Sequence, residues 1–155
     1  MRIRAATSAD ISSILQIERN SGSAAHWPES VYDAVLRDMG RVVFVAEDDD
    51  RAHGFLVASC RVEEWELENI VVCPGLRRQG IGRLLMSSLI KQAVEKGAEE
   101  IRQEIRASNK PALKLARSAG FAVAGIRRGY YADPQEDAVL LTLKTRSVPF
   151  PVGNG

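Results

Sequence analysis

Apolar residues recur along this chain at two spacings, and the places where the spacing changes mark out its elements. Ile3 to Ala5 reads as a short strand. Behind the polar helix start Thr7-Ser8-Ala9-Asp10, Ile11, Ile14, Leu15 and Ile17 fall at helical intervals. A second short helix is expected from Pro28 to Met39. Val42 to Glu47 and His53 to Arg61 read as a hairpin around an acidic turn. Trp65 to Val72 forms a third meander strand, ended by Pro74 and Gly75. Ile81, Leu84, Leu85, Leu89 and Ala93 predict an amphipathic helix to about Lys96, with Gly97 at its C-terminal cap. Ile101 to Ile105 alternates as a strand. Ser108-Asn109-Lys110-Pro111 opens another helix that holds Leu113 and Leu115 and closes at Gly120. Strands at Phe121 to Arg128 and Ala138 to Leu143 follow.

Composition narrows the class. A chain of 155 residues with 45% apolar and 26% charged positions suits one domain with a hydrophobic core, expected over residues 1–146 with a flexible tail at 147–155. The net charge of +1 argues against general binding to nucleic acid or an anionic membrane surface. With no 18-residue apolar run and no secretory leader, the expected location is cytoplasmic. Cys60 and Cys73 read as buried small hydrophobes, and the isolated His26 and His53 suggest no metal.

The densest chemistry lies in Arg77-Arg78-Gln79-Gly80-Ile81-Gly82-Arg83, after the apolar strand Asn69-Ile70-Val71-Val72 and at the start of a long helix. Two glycines one residue apart allow a tight turn and close backbone approach. Amide N–H groups converge at the helix start, where the dipole favours anions, so a pyrophosphate is the expected cargo. Nucleotide motifs fail on spacing: Gly-x-Gly-x-x-Gly would need glycine at Leu85, and Gly-Lys-Ser or Gly-Lys-Thr is absent.

Arg-x-x-Gly-x-Gly after a strand resembles the coenzyme A signature of GNAT acetyltransferases. Three further segments are similar to that family: Leu67-Glu68-Asn69-Ile70-Val71-Val72, Glu104-Ile105-Arg106-Ala107-Ser108-Asn109, and Arg127-Arg128-Gly129-Tyr130-Tyr131 with Glu136-Asp137-Ala138. Within the superfamily the likeness is greatest to the bacterial ribosomal-protein alanine N-acetyltransferases and their N-terminal acetyltransferase relatives. The resemblance covers Arg2 to about Lys144. It implies an α/β (α+β) fold with a mixed, mostly antiparallel sheet of about seven strands flanked by about four helices, and acetyl-CoA as cosubstrate without a metal.

By that resemblance, backbone groups of Ile70, Val71 and Val72 receive the acetyl-pantetheine arm. Amides across Arg78, Gln79, Gly80, Ile81, Gly82 and Arg83 hold the pyrophosphate, helped by the side chains of Arg77, Arg78 and Arg83. Asn109 contacts the coenzyme arm, and Tyr130 and Tyr131 lie beside the acceptor. Glu104 takes the general-base position. The alternation of Ile101, Gln103 and Ile105 against Arg102, Glu104 and Arg106 sets Glu104 on a face with two arginines, so pattern alone reads as a surface ion pair. An α-amino group, with a pKa of about 8 against about 10.4 for lysine, asks less of a base acting through water. The implied partner is a protein N-terminus, as in a ribosomal protein beginning with alanine, acted on by a monomer or weak homodimer. Two departures stand out. The family's general-acid tyrosine position is Ala116, which leaves a non-catalytic acetyl-CoA binder as an alternative. Ala25-His26-Trp27-Pro28-Glu29 replaces the family's Pro-Trp-Ser stretch, which leaves a small amine as another acceptor.

Overall fold

The computed structural model describes residues 1–22, 26–77 and 79–148. Arg78, Ala25 and most of the expected tail therefore lie outside the described residues. Strands β1 (Arg2–Ala5), β2 (Arg41–Asp48), β3 (Arg51–Cys60), β4 (Glu64–Val72), β5 (Glu100–Arg106), β6 (Ala122–Tyr131) and β7 (Glu136–Lys144) alternate with helices α1 (Ile11–Arg19), α2 (Glu29–Arg37), α3 (Ile81–Glu95) and α4 (Lys110–Ser118). This is the expected order. The strands form a mixed sheet ordered β1-β2-β3-β4-β5-β7-β6, in which β4 and β5 run parallel. No described helix is long and apolar enough to cross a membrane.

The chain divides into two compact units. The first comprises Met1–Cys60 and Leu67–Leu89. Its core gathers Ile14, Leu15 and Ile17 of α1 with Tyr32 and Val35 of α2 and Val43, Phe55, Val57 and Val71 of the strands. The α1 residues are the helical-interval positions seen in the sequence, and their burial against strands is what stabilises so short a helix. The β2–β3 hairpin is tighter than expected. Asp48 pairs with Arg51 across Asp49 and Asp50, both at positive φ (50° and 60°), the geometry of a two-residue turn that matches strand twist. Helix α2 stops at Arg37 rather than Met39 because Asp38 is extended. The two cysteines are only partly buried, a correction to the expected full burial. Cys60 ends β3, while Cys73 packs on the edge of the core, where burial pushes its thiol above the usual range.

The second unit comprises Arg61–Glu66 and the chain from Ile90. Helix α3 ends here in a paired cap around Gly97 at φ +79°. The Ala98 N–H reaches the Ala93 carbonyl at 2.9 Å, and the Gly97 N–H reaches that of Val94 at 3.1 Å. Strand β5 pairs with Glu64–Glu66 of β4 over Glu100–Arg102 and with β7 along its whole length. Ile101, Gln103 and Ile105 face inward, and Gln103 leaves a buried Nε2 without a partner among the described residues. Strand β6 runs to Tyr131, beyond the expected end at Arg128. A register shift between Arg127 and Tyr131 carries it through Gly129, at φ +61°, whose N–H donates to Asp137 Oδ1 at 2.8 Å.

Gly54 on β3 leaves no room for a side chain, since a Cβ there would lie 2.9 Å from the Val71 carbonyl oxygen. Gly54→Ala should lower unfolding stability by about 1–3 kcal/mol. The measurement is the urea midpoint, which should fall at constant slope; an unmoved midpoint would mean that the strands part there without cost.

Candidate functional site

In the second unit, pairing with β7 fixes the outward row of β5. Arg102 is taken up by Glu64 at 3.0 Å and Glu100 at 3.2 Å. Arg106 bonds Glu136 at 3.3 Å and the carbonyls of Ala132 and Pro134, clasping the β6–β7 connection. Neither arginine pairs with Glu104, so the ion pair that the pattern suggests forms with a different partner, on β6. Glu104 instead meets β6: Arg127 lies 3.8 Å away, and Tyr130 is near enough for the carboxylate to act on its phenol. Its side chain is 25% exposed, open enough for water to reach it. The hydrogen bond to Glu104, followed by its negative charge, pushes the Tyr130 phenol above its ordinary value.

Tyr130 and Tyr131 stack edge to face at 5.1 Å, with the Arg127 guanidinium 5.3 Å from the first ring centre and that of Arg106 4.4 Å from the second. Burial is the leading reason that the Tyr131 phenol is also raised. The pair borders a cleft of about 310 Å³ with the turn residues that follow. Structure thus brings Glu104, Tyr130 and Tyr131 together.

Ala116 is fully buried, and its carbonyl accepts from the N–H of Phe121 at 3.0 Å. No hydroxyl stands at that position, and a tyrosine installed there would have to displace packed neighbours. Asn109 caps α4, its Oδ1 accepting from the Ala112 N–H at 3.2 Å, so that oxygen already has a partner.

In the first unit, Ile70 and Val72 are half-buried on β4 and Val71 is buried. Gly80 sits at φ +84°, where a side chain would be strained, and its carbonyl accepts the first helical bond, from Leu84 N–H at 3.0 Å. The amides of Ile81, Gly82 and Arg83 then have no acceptor within the helix and form a donor cluster suited to an anion. Gln79 and Arg83 are exposed beside it. Arg77 departs from its expected part. Its Nη2 donates to Ser21 Oγ at 2.6 Å and its Nε to the Val72 carbonyl at 3.3 Å, so the guanidinium braces the end of β4. Arg78 lies outside the described residues.

Sequence reasoning missed one group altogether. Glu18, only 2% exposed, joins Trp27, Tyr32 and Asn69 in a buried hydrogen-bonded chain. The available signal was a carboxyl on the apolar stripe, one helical turn past Ile14. Among the described residues no three His, Cys, Asp or Glu side chains gather into a metal site.

The sequence pattern of the acetyltransferase (GNAT) family matches residues 9–121. The chain belongs to that family. This GNAT protein is 37% identical over 102 residues to the ribosomal protein bS18-alanine N-acetyltransferase of Escherichia coli K12, covering 64% of this chain and 69% of that one. It is 32% identical over 156 residues to an N-alpha-acetyltransferase of Sulfurisphaera tokodaii, covering 90% of each. The crystal structure of the ribosomal-protein-S18-alanine N-acetyltransferase from Escherichia coli matches it with a TM-score of 0.84 at 29% identity, over 97% of each chain. The seven-strand, mostly antiparallel sheet with four helices is the GNAT fold.

The influence of Glu104 on the Tyr130 phenol has a direct spectroscopic consequence. Replacing the carboxylate by a neutral amide in Glu104→Gln should bring the Tyr130 phenol back down toward its ordinary 10.0. Ultraviolet phenolate titration of the two proteins, with Tyr130→Phe to assign the transition, measures this. An unchanged titration would separate the two side chains in solution.

Proposed function

We propose that this GNAT protein transfers the acetyl group of acetyl-CoA to the N-terminal α-amine of a protein, with a ribosomal protein beginning with alanine as the favoured acceptor. The observation that carries the reading is Glu104. It projects from β5, is reachable by water, and is left unclaimed by the two arginines on its own strand. The names of the relatives point the same way, toward α-amines of proteins.

The residues fit the coenzyme on their own chemistry. Donors at Gly80, Ile81, Gly82 and Arg83, together with Gln79, would hold the pyrophosphate. Arg77 would act through the β4 end that it braces. Backbone groups of Ile70, Val71 and Val72 would receive the acetyl arm, one N–H polarising the thioester carbonyl. Glu104 then takes the proton of the α-ammonium through water, the free amine attacks the carbonyl carbon, and the second proton that the nitrogen must shed leaves to water as the amide forms. The new C–N bond forms, the C–S bond breaks, and the coenzyme leaves as its thiolate.

With Ala116 in place of a hydroxyl donor, the thiolate is protonated from water. A thiol with a pKa of about 8.5 leaves tolerably as the anion, while general acid help is worth about a hundredfold or more, so the enzyme is slow rather than dead. Tyr130 and Tyr131 would flank the acceptor peptide at their cleft. The catalytic domain spans residues 1–146 and works in the cytoplasm, as a monomer or weak homodimer.

Free-thiol release from acetyl-CoA tests the acceptor, using short peptides that start with alanine, methionine or serine beside lysine and spermidine. The alanine peptide should exceed the others by roughly tenfold or more in kcat/KM. Preference for spermidine or lysine would replace this reading with a small-amine acetyltransferase. No release from any amine, with acetyl-CoA still bound, would make the protein a binding module.

A further inference from the structure

The proposed chemistry makes no use of Glu18, yet this is an expensive side chain to keep. It is 2% exposed on α1 beside Ile14, Leu15 and Ile17, and no cation lies within ion-pair distance among the described residues. A buried carboxyl without a cationic partner costs several kcal/mol relative to water, so stability alone would favour an apolar residue on this stripe.

The hydrogen bonds around it have a fixed direction. Glu18 Oε1 accepts from the Trp27 backbone N–H at 2.9 Å, and a backbone N–H can only donate. The same oxygen accepts the single proton of the Tyr32 hydroxyl, at 2.8 Å. Burial, then this bond to Glu18, pushes the Tyr32 phenol far above its usual range, so the hydroxyl keeps its proton. With that proton committed, Tyr32 Oη can only accept from Asn69, and it takes Nδ2–H at 3.1 Å. The carboxyl on α1 therefore decides which way the Asn69 amide faces on β4. Asn69 is the residue immediately before Ile70.

We propose that Glu18 is a positioning residue. Through Tyr32 it locks the amide of Asn69 and so fixes the course of β4 over Ile70–Val72, the stretch to which the proposed function assigns the acetyl group. The inference rests on that assignment, and its failure is separable from failure of the assignment. Tyr32→Phe removes only the hydroxyl and keeps the ring contacts to Trp27 (5.5 Å) and Phe55 (5.8 Å). Glu18→Gln keeps an acceptor oxygen but introduces a buried N–H pair.

Each variant should lower kcat roughly tenfold through small misplacement of the platform, with the acetyl-CoA dissociation constant within about twofold of wild type. The double variant should be no slower than the worse single one, because the two residues act as one chain. Unchanged kcat with a lowered melting temperature, or losses that multiply, would overturn the proposal. NMR reads the same chain without turnover: Tyr32→Phe should shift the Asn69 side-chain amide and the Ile70 backbone amide, and resonances that stay in place would overturn it. Failure of the acetyl assignment appears separately, as wild-type Ile70–Val72 amides that acetyl-CoA leaves unshifted.

Discussion

The register of β5 against β7 is the constraint on which the chemistry of the second unit depends. Seven consecutive residue pairs, from Glu100 with Lys144 to Arg106 with Ala138, leave no freedom to slip. A slip of one residue would send Ile101 and Ile105 to solvent and Glu104 into the core. Once the register is set, the four polar side chains of the outer row, Glu100, Arg102, Glu104 and Arg106, are sorted by what lies next to each. Arg102 finds Glu64 and Glu100, Arg106 finds the β6–β7 connection, and Glu104 is left to the tyrosine and arginine of β6.

The first unit solves a different problem, which is to hold an irregular chain around a strand end. Arg77 ties the last carbonyl of β4 to Ser21, just past α1, while Glu18 and Tyr32 tie the same strand from α1 and α2. Both devices use side chains that sequence alone would assign to solvent or to substrate. They fix backbone rather than touch ligand, which is consistent with a site whose proposed electrophilic help comes from strand and helix amides.

Much of this was legible in the sequence because it rests on local periodicity. Helical spacing of Ile11, Ile14, Leu15 and Ile17, alternation across Ile101 to Ile105, and glycines at 80, 97 and 120 each reflect a local backbone preference, and each element appeared where its pattern lay. What the pattern could not show were consequences of distant pairing. Strand β6 outran its expected end because Asp137, on the neighbouring strand, holds the Gly129 N–H. Arg77 looked like a phosphate ligand because its partner Ser21 is 56 residues away, and the chain from Glu18 to Asn69 closes through Tyr32 across separations of 14 and 37. Gln103 has the right spacing for the core and the wrong chemistry, and its orphaned Nε2 has no physical account in the residues described.

Turnover of Glu104→Gln at saturating acetyl-CoA and peptide, alongside its acetyl-CoA affinity, tests the central claim most directly. If Glu104 takes the amine proton, kcat falls about 10²- to 10⁴-fold, the usual worth of a general base, and the coenzyme binds within about twofold of wild type. Wild-type turnover in the variant would contradict the account, and would mean that the acceptor loses its proton to some group other than the Glu104 carboxylate.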